Sequence, residues 1–246
     1  MRRPGEVSLE RALSKLGAGS RSEARGWILD GRVSLAGRKV TDPGLPVVPE
    51  TADLRLDGRR LERPAPLTIL LHKPRGVVTT RSDPAGRPTV YDLVRDAGRH
   101  LGPVGRLDLA TSGLLLLTSD TQLAHWISDP ANRVPRVYLV TVRGRVAPDA
   151  VAALERGVME GGERLAATAA RLRKASARES HLVLELAEGR NREVRRLLDA
   201  VGHSVTRLRR VQFGGLALGT LAPGAWRVVT PRELAAAFPG APLSRR

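Results

Sequence analysis

The sequence predicts an α+β protein in two unequal domains. Three observations predict it. Two short helix patterns followed by short strands open the chain, a proline-bearing polar stretch ends near residue 66, and beyond it apolar or alternating runs of strand length are broken by a few helices. The 246 residues are 41% hydrophobic, 27% charged and 3% aromatic, which suits one or two ordinary domains. Lys plus Arg number 41 against 25 Asp plus Glu, a formal charge of +16 that calls for a polyanionic partner, nucleic acid foremost. Of the 41, 37 are Arg, whose planar fork binds phosphate and stacks on bases. Residues 133–178 carry ten of them against four acids, and residues 186–212 seven against three.

Composition also excludes. With no cysteine, disulfides, thiolate nucleophiles, cysteine-ligated zinc and iron-sulfur clusters are ruled out. The five histidines, at 72, 100, 125, 181 and 203, show no ligand spacing, so no metal is expected. Gly17-Ala18-Gly19 lacks the rest of a dinucleotide fingerprint, no phosphate-binding Gly-Lys-Ser/Thr loop exists, and Ser112 lacks the glycines of a hydrolase elbow. No apolar run nears the roughly 18–20 residues of a membrane span, and Met1-Arg2-Arg3-Pro4 precedes no signal-peptide core. A cytoplasmic protein without membrane contact is expected.

In the first domain Leu9, Ala12, Leu13 and Leu16 recur at helical spacing, and Gly17-Ala18-Gly19 closes that helix. Ser20 with Glu23 is a capping-box pattern that starts a second helix carrying Ala24, Trp27 and Ile28, which Gly31 ends. Val33-Ser34-Leu35, a turn at Ala36-Gly37-Arg38 and Lys39-Val40 follow as strands. Arg21, Arg25, Arg32, Arg38 and Lys39 can share a phosphate-facing surface, one that places RNA without reacting with it; the alternative is an ordinary charged surface. Through Ala12-Leu13, Ser20-Arg21-Ser22-Glu23-Ala24 and Gly31-Arg32-Val33, the segment from about 7 to 53 resembles the RNA-binding module of bacterial ribosomal protein S4. Pro43, Pro46, Pro49, Pro64 and Pro66 disfavour long helices and central strands, which sets the domains as 1–66 and 67–246.

The second domain opens with a strand at Leu67 to Leu71, and His72 to Thr80 reads as strand, turn and strand around Lys73-Pro74-Arg75-Gly76. Asp83 to Val90 is rich in turn formers, either a substrate lid or a plain surface loop. Val104-Gly105-Arg106-Leu107-Asp108-Leu109-Ala110-Thr111-Ser112-Gly113 then feeds the apolar run Leu114 to Leu117. A polar loop entering a buried strand can fix a carboxylate beside a low-dielectric interior, so Asp108 is a candidate nucleophile or base; alternatively it caps a turn and pairs with Arg106. The alternation of Arg136 to Val142 places Tyr138, Val140 and Val142 on one strand face, and Tyr138 either stacks on a nucleobase or belongs to the core.

Pro148 to Glu155 reads as a short helix with Val151 and Leu154 inward, and Leu182 to Leu186 as a strand. From Asn191, a candidate cap, a two-sided helix runs to Gly202 with Val194, Leu197, Leu198 and Val201 inward and Arg192, Arg195, Arg196 and Asp199 outward. Its start near Gly189-Arg190-Asn191 offers free amides to phosphate, and Arg207, Arg209 and Arg210 lie one strand later. Thr230-Pro231-Arg232-Glu233 starts a terminal helix with Leu234, Ala237 and Phe238, expected to pack on the sheet.

The long motif Gly105 to Thr118, Tyr138-Leu139-Val140 and Glu188-Gly189-Arg190-Asn191-Arg192-Glu193-Val194-Arg195-Arg196 together closely resemble the ribosomal-RNA pseudouridine synthases that carry an N-terminal S4-type module. The resemblance implies a catalytic domain built on a mixed, mainly antiparallel, bent sheet flanked by helices, and isomerisation of a chosen uridine in rRNA without a cofactor. It implies Asp108 as nucleophile, Tyr138 stacked on the flipped uracil and assisting proton transfer at C5, and Arg195 paired with Asp108. It also implies RNA contacts from Arg106 and the Lys73-Arg75 turn, beside those expected from Arg190, Arg192 and Arg196. The implied partner is ribosomal RNA or a ribosome-assembly intermediate, with large-subunit rRNA preferred, and the protein is expected to be a monomer.

Glu193 stands where the family generally has Gln, Arg136 where Lys is common, Leu198 where Met is common, and Thr121 where Gly is common. Glu193 would repel phosphate unless Arg190, Arg192 or Arg196 pairs with it. A non-enzymatic assembly factor is the rival class and would leave Asp108 away from a cleft. A base-acting deaminase would need a zinc centre that this composition does not supply.

Overall fold

The computed structural model describes residues 5–62, 65–97 and 101–243. Contacts divide the chain at Ala65/Pro66, one residue from the boundary placed by the prolines. In the first unit β1 (Val7–Ser8) leads into α1 (Leu9–Lys15) and α2 (Arg21–Leu29). The capping box forms as the local sequence dictates: the Glu23 amide donates to Ser20 Oγ (3.2 Å) and the Ser20 amide to the Glu23 carboxylate (2.8 Å). Strands β2 (Val33–Leu35), β3 (Arg38–Lys39), β4 (Pro46–Val47), β5 (Leu54–Leu56) and β6 (Arg59–Arg60) follow. They make a four-stranded sheet in the order β3-β2-β5-β6 and a β1-β4 pair. Ala36 (φ 48°) and Gly37 (φ 78°) both lie in the left-handed region, the conformation of a two-residue hairpin turn. Leu9, Leu13, Ala24, Ile28 and Leu54 are fully buried between the helices and this sheet.

The second unit begins with β7 (Thr68–Lys73), α3 (Val90–Leu93), β8 (Gly102–Val104), β9 (Thr111–Thr118) and α4 (Thr121–Ser128). Next come β10 (Arg136–Arg143), α5 (Pro148–Arg156), the β11 (Val158–Glu160) and β12 (Glu163–Leu165) hairpin, β13 (Ala169–Ala175) and β14 (Glu179–Leu186). It ends with α6 (Glu193–Ala200), β15 (Val205–Phe213), β16 (Leu216–Ala217), β17 (Trp226–Val228) and α7 (Pro231–Ala237).

Nine of these strands form one mixed, mainly antiparallel, bent sheet in the order β13-β14-β10-β15-β9-β7-β17, with β8 on β9 and β16 on β15. The β9-β15 pair is parallel, and β10 slips register against β15 at Val137/Tyr138 and at Thr141/Val142. The strand alternation sorts the core. Val140, Val142, Leu182, Leu184 and Leu208 pack under α6 and α5, while Leu70, Leu114, Leu116 and Phe213 pack under α4 and α7. On the far side of β7 and β9, Ile69, Leu71, Leu115 and Leu117 meet Val77, Val90 and Leu107.

Two local expectations change. The segment after the Lys73 turn is not a strand: Val78 makes a single bridge to Thr89, and the chain is tied instead to the 105–110 loop. The residue that caps α6 is Arg192 (φ 50°), not Asn191, and no side chain caps it; the Arg190 amide donates to Glu193 instead (3.1 Å). At Gly113 (φ 112°) β9 and β15 approach so closely that a Cβ would collide with the Arg210 carbonyl.

Candidate active site

Asp108 sits in the loop joining β8 to β9, and that loop is held by its backbone. Lys73, at the end of β7 and fully buried, donates from Nζ to the carbonyls of Pro74 (3.0 Å), Asp108 (3.1 Å) and Thr111 (2.8 Å). Gly76 N–H donates to Leu109 O (2.9 Å) and Thr79 Oγ1 to Leu107 O (2.9 Å). Burial pushes the Lys73 ammonium down to about 8, partly opposed by the Asp108 charge. Fixed main chain on both sides leaves the Asp108 carboxylate as the free part. Its side chain is 39% exposed, and its ion-pair partner among the described residues is Arg192, at 3.8 Å. Among the described residues its carboxylate makes no hydrogen bond, so none is spent on capping a turn.

The loop forms one wall of a cleft of about 540 Å³, whose other walls come from β10, β15 and the β14-α6 connection. Tyr138, 9% exposed, lines this cleft with Asp108, Arg106, Arg190 and Arg192. Its ring therefore serves as core on one side and as cleft wall on the other. Deeper in, Arg136 and Arg210 flank the Phe213 ring, with guanidinium carbons 5.0 and 4.6 Å from its centroid. Arg136 donates to Val134 O (2.8 Å) and Ala187 O (3.1 Å), so its charge braces the scaffold. Arg210 anchors Nε on Leu114 O (2.8 Å), whereas its buried Nη2 and the buried Thr111 Oγ1 have no partner. Both residues line the cleft.

Arg195 is not within ion-pair distance of Asp108: its Nη1 donates to Val205 O (3.1 Å) and its Nε is buried without a partner. Burial lowers its pKa, neighbouring Arg192 and Arg75 lower it further, and Asp108 opposes them, so Arg195 feels that carboxylate without touching it.

Three expected RNA contacts are spent elsewhere. Lys73 is enclosed by main-chain carbonyls and presents nothing to a ligand. Arg196 pairs with Glu160 and Glu163, the latter at 3.0 Å, and so ties α6 to the β11-β12 hairpin. Arg32 holds Asp57 through two bonds of 3.0 and 2.6 Å. Arg190 pairs with Glu188 yet stays exposed at the rim, and Arg75 and Arg106 are exposed as well. In the first unit Arg21, Arg38 and Lys39 are exposed, and Arg25 lies 3.7 Å from Glu10. Glu193 is buried and takes the Arg190 amide, not a guanidinium; burial raises its pKa. The sequence groups Arg210 with Arg207 and Arg209 and gives Thr111 no role of its own, because nothing local distinguishes a buried arginine from its exposed neighbours.

Comparison with known proteins agrees with this geometry. Residues 67–200 match the RNA pseudouridylate synthase family, and residues 8–52 match the S4 domain. The chain is 35% identical over 228 residues to ribosomal large subunit pseudouridine synthase B of Bacillus subtilis, covering 92% of this chain and 93% of that protein. It is 41% identical over 227 residues to the Yersinia pestis protein of the same name, covering 89% and 71%. A solved pseudouridylate synthase crystal structure superposes with a TM-score of 0.62 at 28% identity, over 93% of this chain and 98% of that one. Fold, motif order and relatives agree: the chain belongs to the RNA pseudouridylate synthase family and carries an S4 domain ahead of its catalytic domain.

Proposed function

We infer that this protein converts a specific uridine of ribosomal RNA, large-subunit rRNA by preference, to pseudouridine with Asp108 as nucleophile. The observation that carries the reading is the cleft itself: a carboxylate on pinned backbone, a tyrosine and five arginines line one cavity large enough for an extruded nucleotide. Two relatives named as large-subunit enzymes support the choice of substrate.

The isomerisation breaks the C1′–N1 bond, forms C1′–C5, and moves the C5 proton to solvent while N1 gains one. No oxidation, hydrolysis or energy input is required. Asp108 either attacks C1′ or takes the C2′ proton to leave a glycal; both routes need the carboxylate fixed and the base free to turn. Tyr138 stacks on the uracil and assists the proton transfer at C5. Arg210 Nη2 and Thr111 Oγ1 offer donors to its carbonyls. Arg192 holds the Asp108 carboxylate in the free protein, and Arg195 orients it once RNA closes the cleft. Extruding a base costs a few kcal/mol, about that of two good phosphate contacts, and Arg106 and Arg190 at the rim supply them. The S4 domain adds affinity through Arg21, Arg25, Arg38 and Lys39. In this reading the enzyme works in the cytoplasm as a monomer. A purely binding assembly factor has no use for a free carboxylate in a cleft.

The test is to map pseudouridines in rRNA from cells with the wild-type protein, without it, and with Asp108→Asn. One site should vanish in the last two, with turnover by the purified variant down by about 10⁴-fold or more and RNA binding retained. Appreciable turnover by Asp108→Asn would sink the nucleophile assignment.

A further inference from the structure

The face of the sheet opposite α5 and α6 is uncovered within its own unit. Along β10 the residues Tyr138, Val140 and Val142 point into the helix-covered core, so Leu139 and Thr141 point the other way; on β14 and β15 the same alternation turns His181, Arg207 and Arg209 outward. Register then builds rows across the sheet. Lys174, His181, Thr141 and Arg207 are successive cross-strand neighbours, and Leu139, Arg209 and Ser112 form a second row. A groove of about 700 Å³ follows them, and its lining includes Arg75, Arg173, Lys174, Arg207 and Arg209.

These five cations have no ion pair or hydrogen bond among the described residues, and the lining holds no carboxylate. Glu179 approaches through His181, which it meets at 3.1 Å. Arg207 and Arg209 stand two residues apart on one face of β15, about 7 Å, and Arg173 adjoins Lys174 on β13, so within each pair unneutralised charges repel inside a Debye length. Such an arrangement costs stability unless a polyanion occupies it.

We propose that this open face is a track for the phosphodiester backbone of the RNA that flanks the target uridine, separate from the cleft that takes the uridine itself. The lining carries no Phe, Tyr or Trp, and its one imidazole, His181, is engaged at both ring nitrogens by Thr141 (3.2 Å) and Glu179 (3.1 Å), so the contact is to phosphates, without sequence preference. The turn of Arg75 joins the two sites: Arg75 lines the groove, and the next residue, Gly76, donates its amide to Leu109 O (2.9 Å) in the loop of Asp108. The proposal rests on the reading of the cleft as an RNA-modifying site, and its test separates the two.

The full-length protein is titrated with an rRNA fragment carrying the target loop and its flanking helices, and with a stem-loop of the target alone, over a range of salt concentrations. Arg207→Gln/Arg209→Gln and Arg173→Gln/Lys174→Gln are compared with a control of equal charge, Arg87→Gln/Arg232→Gln. Each groove pair should weaken binding of the long fragment at least tenfold and flatten its log K against log salt slope by about 1.5, with the short stem-loop bound as by the wild type. Affinity and slope on the long fragment matching the control pair overturn the track. A wild type that binds both RNAs and forms no pseudouridine would instead defeat the reading of the cleft, and leave the salt slopes to decide on the groove.

Discussion

The two walls of the cleft are built by opposite means. The 105–110 loop is set by hydrogen bonds to its main chain from a buried ammonium, a backbone amide and a threonine hydroxyl. The 188–196 wall presents its cations through exposed or half-exposed side chains, with Arg192 in a left-handed conformation and Arg190 paired to Glu188. Main-chain ties fix a position to a few tenths of an ångström, whereas exposed ion pairs are worth little and rearrange readily. The main chain that carries Asp108 is therefore the rigid partner and the arginines are the adaptable ones, which suits a cleft that must place one carboxylate while a flexible polyanion enters.

The comparison can be broken at its strongest point. Lys73→Met keeps the stem but removes three hydrogen bonds, with the Pro74 and Thr111 carbonyls losing their ammonium donor and Asp108 O keeping only the Thr111 amide (3.0 Å), a loss of about 2–4 kcal/mol that should appear as a Tm lowered by ~5–15 °C. Pseudouridine formation should fall about 100-fold through misplacement of Asp108; a variant with wild-type Tm and rate would show that the ammonium does not fix the loop. The pH dependence carries a sign. The unfolded amine titrates near 10.5 and the folded one near 8, so between those values the unfolded chain binds more protons and stability rises with pH. That rise, present in the wild type, should be missing from Lys73→Met in denaturant melts between pH 8 and 10.

On the other wall, Glu193→Gln should stabilise, by about 0.5–2 kcal/mol at neutral pH. The buried carboxyl has its pKa raised above 4.5, so the wild type is relatively most stable when acid and loses that advantage as pH rises through the folded pKa. The gain of the variant should shrink toward pH 4.5, and a gain independent of pH would assign it to packing. The smallest effect belongs to Arg192→Ala. Its partly exposed pair with Asp108 contributes about 0–1 kcal/mol to stability, while rRNA affinity should fall about 2–10-fold. A loss as large as that of Lys73→Met, read by calorimetry, would contradict the division between rigid and adaptable walls.

What could be read from the sequence follows the range of the interactions. The capping boxes at Ser20/Glu23 and Thr230/Glu233, the alternation of β10 and the two-sided α6 are written within a few residues of themselves, and each is present. Asp108 and Tyr138 stood out through motif and alternation, and the fold brings them to one cleft. The fate of the cations was not legible. Lys73 and Arg75 are two residues apart in one turn, yet one is sealed under carbonyls at 108 and 111 and the other is exposed. Arg196 found its acids on a hairpin more than thirty residues earlier. Those partners are tertiary, and a local pattern contains no record of them. The same limit hid the burial that sets Arg210 apart from Arg207 and Arg209.

Gly113 adds a dimension to this account. It touches no ligand and offers no functional group, yet β9 and β15 meet there with no room for a methyl group, at the sheet's parallel seam. One strand continues from the loop of Asp108 and the other carries Leu208 and Arg210 into the cleft. The spacing of the chemical groups is thus gauged by an absent side chain: this residue acts as a shim of zero thickness, and the calibre of the active site is set by how nearly two backbones can touch.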